Sequence, residues 1–175
     1  ASNYDLNQTD DWMLFLESLE SLPKELTKIV VSLPAGIDIS KHMETACAVF
    51  EALEISITTL FVINRQMDSI NLLEKSGIQG LIAHSSKRVC LMNGLFGSED
   101  QFDRFHESTT KEQFCLTGGK VGFLPELFYK SVDLCLVDNA APFSIASKKQ
   151  MPIVYRMQIS HWLKQTDALY QQCLN

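Results

Sequence analysis

Apolar residues recur along this chain in two rhythms, and the changes from one to the other outline its elements. Trp12, Phe15, Leu16, Leu19 and Leu22 fall at helical spacing, which predicts a first helix opened by Asp10 and Asp11 and ended by Pro23. Between Thr27 and Asn64 the rhythm changes twice. Ile29, Val30, Val31 and Leu33 form a β-branched run, Met43, Ala46, Cys47, Val49, Phe50 and Leu53 a helical pattern, and residues 57–63 a second apolar run. Strand, helix and strand in this order make a βαβ unit, because parallel strands need a crossover. The expected class is therefore α/β, with ligands near the loops that leave the strand ends.

Downstream, residues 67–75 read as a short helix stopped by Ser76 and Gly77, and residues 80–84 fit strand or helix equally. Residues 87–92 are a strand running into the turn signal Asn93-Gly94. Ser98 caps a helix that places Phe102 and Phe105 on one face, with Glu99 and Asp100 at its positive end. Residues 113–116 read as a short strand before the Gly118-Gly119 turn, and residues 123–129 as a helix with Pro125 in its first turn. Residues 132–137 and 152–157 read as the last strands, and a helix carrying Trp162, Leu169, Tyr170 and Cys173 closes the chain. The sum is one domain over residues 1–175, with an N-terminal helix over 1–22. Residues 23–175 then supply a largely parallel sheet of five or six strands flanked by helices.

Composition narrows the function classes. Of 175 residues, 46% are hydrophobic and 21% charged, the balance of a chain with a real core rather than a disordered one. The net charge of −6 opposes a general affinity for nucleic acid, whose backbone attracts clustered cations. No apolar stretch approaches the roughly 20 residues of a spanning helix, so no transmembrane segment is expected. Five cysteines, odd in number and without paired spacing, point to reduced thiols and a cytoplasmic location, with no metal site.

The chemistry-bearing candidates lie in loops. Asp38 and His42 stand four apart near the start of the first crossover helix, a spacing that suits proton transfer or ligation and equally suits a capping Asp beside an exposed His. Asn64 sits where the second apolar run ends. Thr117-Gly118-Gly119-Lys120 offers glycine amides and a lysine charge of the kind that binds phosphate, without the full phosphate-loop spacing. Asp138 follows the run at 132–137, the usual place of a functional acid in an open sheet and also that of a turn-forming Asp-Asn. Asp38, His42, Asn64, Lys120 and Asp138 are thus the ligand-binding candidates. No residue pairs into a catalytic set, and no cofactor motif is present, since the loop after Leu33 carries a single glycine.

The order of the segments resembles the cis-prenyltransferase family, the undecaprenyl and dehydrodolichyl diphosphate synthases. Leu22-Pro23-Lys24 with the run through Leu33 resembles that family's opening. Residues 87–95 with Ser98-Glu99-Asp100 resemble its strand, Gly-Asp-Leu turn and acidic helix start. Phe114 to Gly119 is similar to its strand ending in a glycine pair, and Val132-Asp133-Leu134-Cys135-Leu136-Val137 to the strand before its diphosphate-binding arginines. The resemblance implies a prenyltransferase-like fold from about residue 22 to residue 174. The family's Asp-Gly-Asn-Arg-Arg-Trp segment is replaced by Leu33-Pro34-Ala35-Gly36-Ile37, and its arginine pattern by Asp138 to Ser144, which holds no arginine. The resemblance therefore implies a degenerate member acting as a non-catalytic partner or binding subunit. Such a subunit would pair with a homologous chain or a second copy, with an isoprenoid as possible ligand. Two alternatives stand beside it, an atypical enzyme on an isoprenoid or phosphorylated substrate and a receiver-like regulatory domain.

Overall fold

The computed structural model describes residues 8–23, 28–33, 40–137, 141, 142, 144 and 151–174. The chain divides into two compact units, Ala1–Thr59 with Asn71–Lys87, and Leu60–Ile70 with Arg88–Asn175. Its elements in order are α1 (Thr9–Glu20), α2 (Met43–Ala52), β1 (Thr58–Ile63), α3 (Met67–Gln79), β2 (Lys87–Asn93), α4 (Asp103–His106), α5 (Thr109–Leu116), β3 (Lys120–Leu124), α6 (Tyr129–Val137) and α7 (Ile153–Leu174), with short 3-10 turns between some of them.

The first unit is helical in its core. Trp12, Leu16 and Leu19 of α1 pack with Met43 and Ala46 of α2, as their spacing requires. Asp10 and Asp11 lie inside the first turn, where their charge suits the positive end of the helix, and Gln8 occupies the capping position without a side-chain bond. The run at 28–33 has no regular structure, and Val30 is 94% exposed. Ile29, Val31 and Leu33 instead turn toward an apolar cavity. At the start of β1, the Thr59 hydroxyl donates to the Ser85 hydroxyl, which itself donates to the Leu81 carbonyl at 2.7 Å.

The second unit holds the sheet. Its three strands lie in the order β1-β2-β3, and β2 pairs parallel with β3 so that Val89 faces Lys120 and Asn93 faces Leu124. The central strand is apolar on both faces, with Val89, Cys90, Leu91 and Met92 each no more than 1% exposed. Continuous burial of this kind is the mark of a parallel strand covered on both sides, and each such side chain contributes about 1.5–3 kcal/mol. Leu169, Tyr170 and Cys173 of α7 cover Val89 and Leu91. Gly122 makes that approach possible, since a Cβ there would meet the Leu169 side chain at 2.5 Å and the Cys173 sulfur at 3.2 Å.

An α/β fold with a parallel sheet is what the patterning predicts, but among the described residues the sheet has three strands, not five or six. Residues 113–116, 132–137 and 153–157, expected as strands, belong to α5, α6 and α7. Short apolar runs carry no period long enough to separate strand from helix, and packing decided these. The expected helix at 123–129 is instead the end of β3 and an irregular link to α6. The helix at 67–75 continues through Ser76 and Gly77 to Gln79. Leu81–His84 is a 3-10 turn.

Candidate functional site

Strand ends place a polar cleft in the second unit. After Ile63 the chain leaves β1 through Asn64, Arg65 and Gln66 into α3, and after Asn93 it leaves β2 through a 3-10 turn, Gly94–Phe96, and a second, Glu99–Gln101, into α4. Between these two βα connections lies a cleft of about 500 Å³, lined by Asn64, Arg65, Gln66, Phe96, Gln101, Asp103 and Arg104. It occupies the position where open parallel sheets bind ligands, outside the carboxyl ends of the strands.

Each wall is held by identifiable bonds. Asn64 Oδ1 accepts from the Gln66 backbone N–H at 2.8 Å and from the Ser69 hydroxyl at 3.0 Å, which fixes the turn into α3. This leaves the Asn64 amide N–H groups for other partners. Arg65 reaches across to the second connection, where its Nε donates to the Gln101 carbonyl at 3.0 Å and its Nη1 to the Phe96 carbonyl at 3.4 Å. Those bonds use two of the five guanidinium N–H groups, so the side chain is held in place while keeping donors for an anion.

Gly97 lies beside it with φ +136°, and a Cβ there would collide with Gln101 Oε1 and come within 3.3 Å of Arg65 Nη1. That position needs glycine on both counts. Gln101 Oε1 also accepts from the Ser98 backbone N–H at 3.2 Å, and the Ser98 hydroxyl donates to Asp100. Phe102 and Phe105, buried to 1% exposure, anchor the segment from below, with Phe102 edge-on to Phe123. Arg104 follows on α4 and lines the same cleft. His106 is half-buried and bonded on both ring nitrogens, to the Glu99 carbonyl at 3.0 Å and to Lys111 Nζ at 3.2 Å.

Of the three sequence candidates among the described residues, Asn64 alone lines this cleft. Lys120 stands at the opposite, amino-terminal end of β3, paired in register with Val89, and its Nζ donates to the Gln172 carbonyl near the end of α7 at 3.3 Å. There a lysine neutralises the negative end of a helix. His42 belongs to the first unit, half-buried, with its ring 5.9 Å from that of Trp12. Asp38 and Asp138 lie outside the described residues. The run before Asp138 is helix α6, so its placement at a strand end does not hold. Arg65 and Arg104 were not singled out, although the rule that favours strand ends points directly at the residues after Ile63.

Among the described residues no group of three or more His, Cys, Asp or Glu side chains is arranged to hold a metal ion, and no helix is long and apolar enough to cross a membrane. All five cysteines are free thiols. Burial pushes the Cys90 thiol far above its ordinary value, with a smaller push from Cys115, and it raises Cys173 and Cys47 as well. Such thiols pack as small hydrophobes rather than react.

A second cavity, of about 160 Å³, lies within the first unit. Its wall is formed largely by Trp12, Phe15, Leu19, Val31, Phe50 and Leu81. Trp12 is 3% exposed, and its Nε1–H is buried without an acceptor. The other tryptophan, Trp162 in the second unit, donates its Nε1–H to the Pro125 carbonyl at 2.7 Å.

No protein-family model matches the chain, and no solved structure matches it. The chain is similar to protein MobD of Acidithiobacillus ferrooxidans, with 26% identity over 157 residues that cover 90% of this chain and 67% of that protein.

Proposed function

We propose that this chain is a non-catalytic binding subunit whose second unit holds a small anionic, phosphate-bearing ligand in the cleft after β1 and β2. The observation that carries the reading is the convergence of Arg65 and Arg104 on one cleft, with Arg65 pre-positioned by two backbone carbonyls. Guanidinium groups match phosphate oxygens in geometry and charge, and a side chain already held in place loses less entropy on binding. The start of α3 beside Gln66 adds the positive end of a helix to the same wall. Asp103 offsets part of this charge, which suits recognition of a ligand that also carries a hydroxyl or amine donor.

The lining favours binding over chemistry. Arginines and side-chain amides hold charge and orient hydrogen bonds, whereas acid–base turnover needs a group that exchanges a proton near neutral pH. A role as the soluble, cytoplasmic partner of a homologous chain or of a second copy belongs to the same proposal.

Titration calorimetry with pyrophosphate at low ionic strength tests it. We expect saturable binding that weakens with added salt, a loss of at least tenfold in Arg104→Ala, and unchanged affinity in Lys120→Ala. Equal affinity in Arg104→Ala and the parent chain would overturn the assignment.

A further inference from the structure

Arg65 and Arg104 are only as well placed as the connection after β2, and a side chain that does not line the cleft closes that connection. His106, the last residue of α4, reaches back 7 residues to the Glu99 carbonyl, which lies 3.0 Å from its Nε2. Its Nδ1 lies 3.2 Å from Lys111 Nζ on α5. These two partners fix where the ring carries its proton. A carbonyl oxygen only accepts and an ammonium only donates, so both bonds form together only when Nε2 bears the hydrogen and Nδ1 keeps its lone pair. Ser108, which caps α5 by accepting from the Lys111 backbone N–H at 3.1 Å, holds that lysine in turn.

We propose that His106, as the neutral Nε2–H tautomer, is a positioning residue of the cleft; the cleft's use for an anion rests on the reading given above. Gln101, Asp103 and Arg104 line the cleft, and all lie between Glu99 and His106, the two ends of this clasp. Within the same span, the Gln101 carbonyl accepts from Arg65 Nε at 3.0 Å. The clasp therefore aims the acceptor that holds Arg65 and the short helix that carries Arg104. Backbone bonds inside the span, such as Phe102 N–H to the Glu99 carbonyl and His106 N–H to the Phe102 carbonyl, each close a single turn, whereas the imidazole ties one end to the other. Phe102 and Phe105 anchor the segment by apolar burial, which is non-directional. Aiming a carbonyl takes a directional bond, and His106 supplies it.

Nitrogen-15 NMR of the imidazoles of the whole chain at pH 8 reads the tautomer without any ligand, with the His106 signal assigned by its absence from His106→Gln. We expect the His106 proton on Nε2; a proton on Nδ1 would overturn the proposal, even where a variant is too unstable to study. His106→Leu keeps bulk and removes both bonds, whereas His106→Gln keeps an amide N–H where Nε2 stood. In the ligand-free chain, the Arg65 Nε–H should exchange with solvent about fivefold faster in His106→Leu, the worth of one net hydrogen bond. His106→Gln should restore the parent rate. Equal rates in all three chains, or as large a change in His106→Gln as in His106→Leu, would overturn the proposal. Pyrophosphate affinity should follow the same order, about fivefold weaker in His106→Leu and near the parent value in His106→Gln. A parent chain that binds no pyrophosphate yet shows the expected exchange pattern would refute the anion reading and leave the positioning role standing.

Discussion

Each compact unit contains one tryptophan, and the two are treated differently. Trp162 in the second unit is half-buried and fully satisfied through Pro125, while Trp12 in the first is almost wholly buried and lacks an acceptor. The contrast extends to the surroundings. The second unit is organised by hydrogen-bonded strands whose ends aim Arg65, Gln101 and Arg104 at a polar cleft; the first is helices around an apolar core with space left in it. A ladder fixes polar groups to within a bond length, and a helix-packed core fixes shape but leaves room. Polar groups aimed at a cleft therefore mark the second unit, and apolar packing with a gap marks the first.

The largest expected effect sharpens this difference in rigidity. Phe102→Ala empties a fully buried site beneath the cleft and should cost about 3–5 kcal/mol in denaturant unfolding, whereas Leu19→Ala beside the existing cavity should fall near the low end for its type, about 2 kcal/mol. The reverse order would mean that the first unit is the tighter of the two. Next comes Gly97→Ala. Its backbone sits at φ +136° and its Cβ would push the Gln101 side chain off the Ser98 N–H and crowd Arg65 Nη1, so pyrophosphate affinity should drop about tenfold, equal to about 1.4 kcal/mol.

Both units hold thiols raised by burial, and pH separates them. A thiol raised in the folded state keeps its proton where the unfolded chain has lost it, so its contribution to stability is complete below the ordinary value of 9.0 and declines as pH rises above it. Cys90, with the largest rise, predicts a loss approaching about 1.4 kcal/mol per pH unit above 9, read as the slope of unfolding free energy against pH. Cys90→Ala should flatten that slope, and Cys47→Ala should alter it less. Finally, brief treatment with iodoacetamide at pH 8 should label the exposed Cys115 first and Cys90 last, as peptide mass spectrometry would show. Early labelling of Cys90 would mean that the central strand opens more readily than its burial implies.

What the sequence made legible follows the same division. Helices α1 and α2 were visible because their apolar residues repeat over several turns, and β1 and β2 because β-branched or apolar runs end in clear turn signals. Short apolar runs such as 132–137 and 152–157 suit a helix or a strand, and the neighbours that decide lie far along the chain. Strand β3 was hidden by Gly122, a residue poor in strand preference whose purpose is to admit Leu169 of α7. At the site, Asn64 was legible from its place at a strand end. Arg65 and Arg104 are not, since the two connections that carry them stand far apart along the chain and come together only on folding. Lys120 drew attention through its glycines, but β3 begins there, so its charge sits at the wrong end of the sheet.

The central claim is that an anion binds between the connections after β1 and β2. Amide chemical-shift mapping of the isotope-labelled chain during a pyrophosphate titration tests it most directly. The account predicts the largest shifts at Gln66, Met67, Gly97 and Gln101, with Gly118, Gly119 and Lys120 undisturbed. Shifts centred on Gly118 to Lys120, or none that saturate, would contradict it.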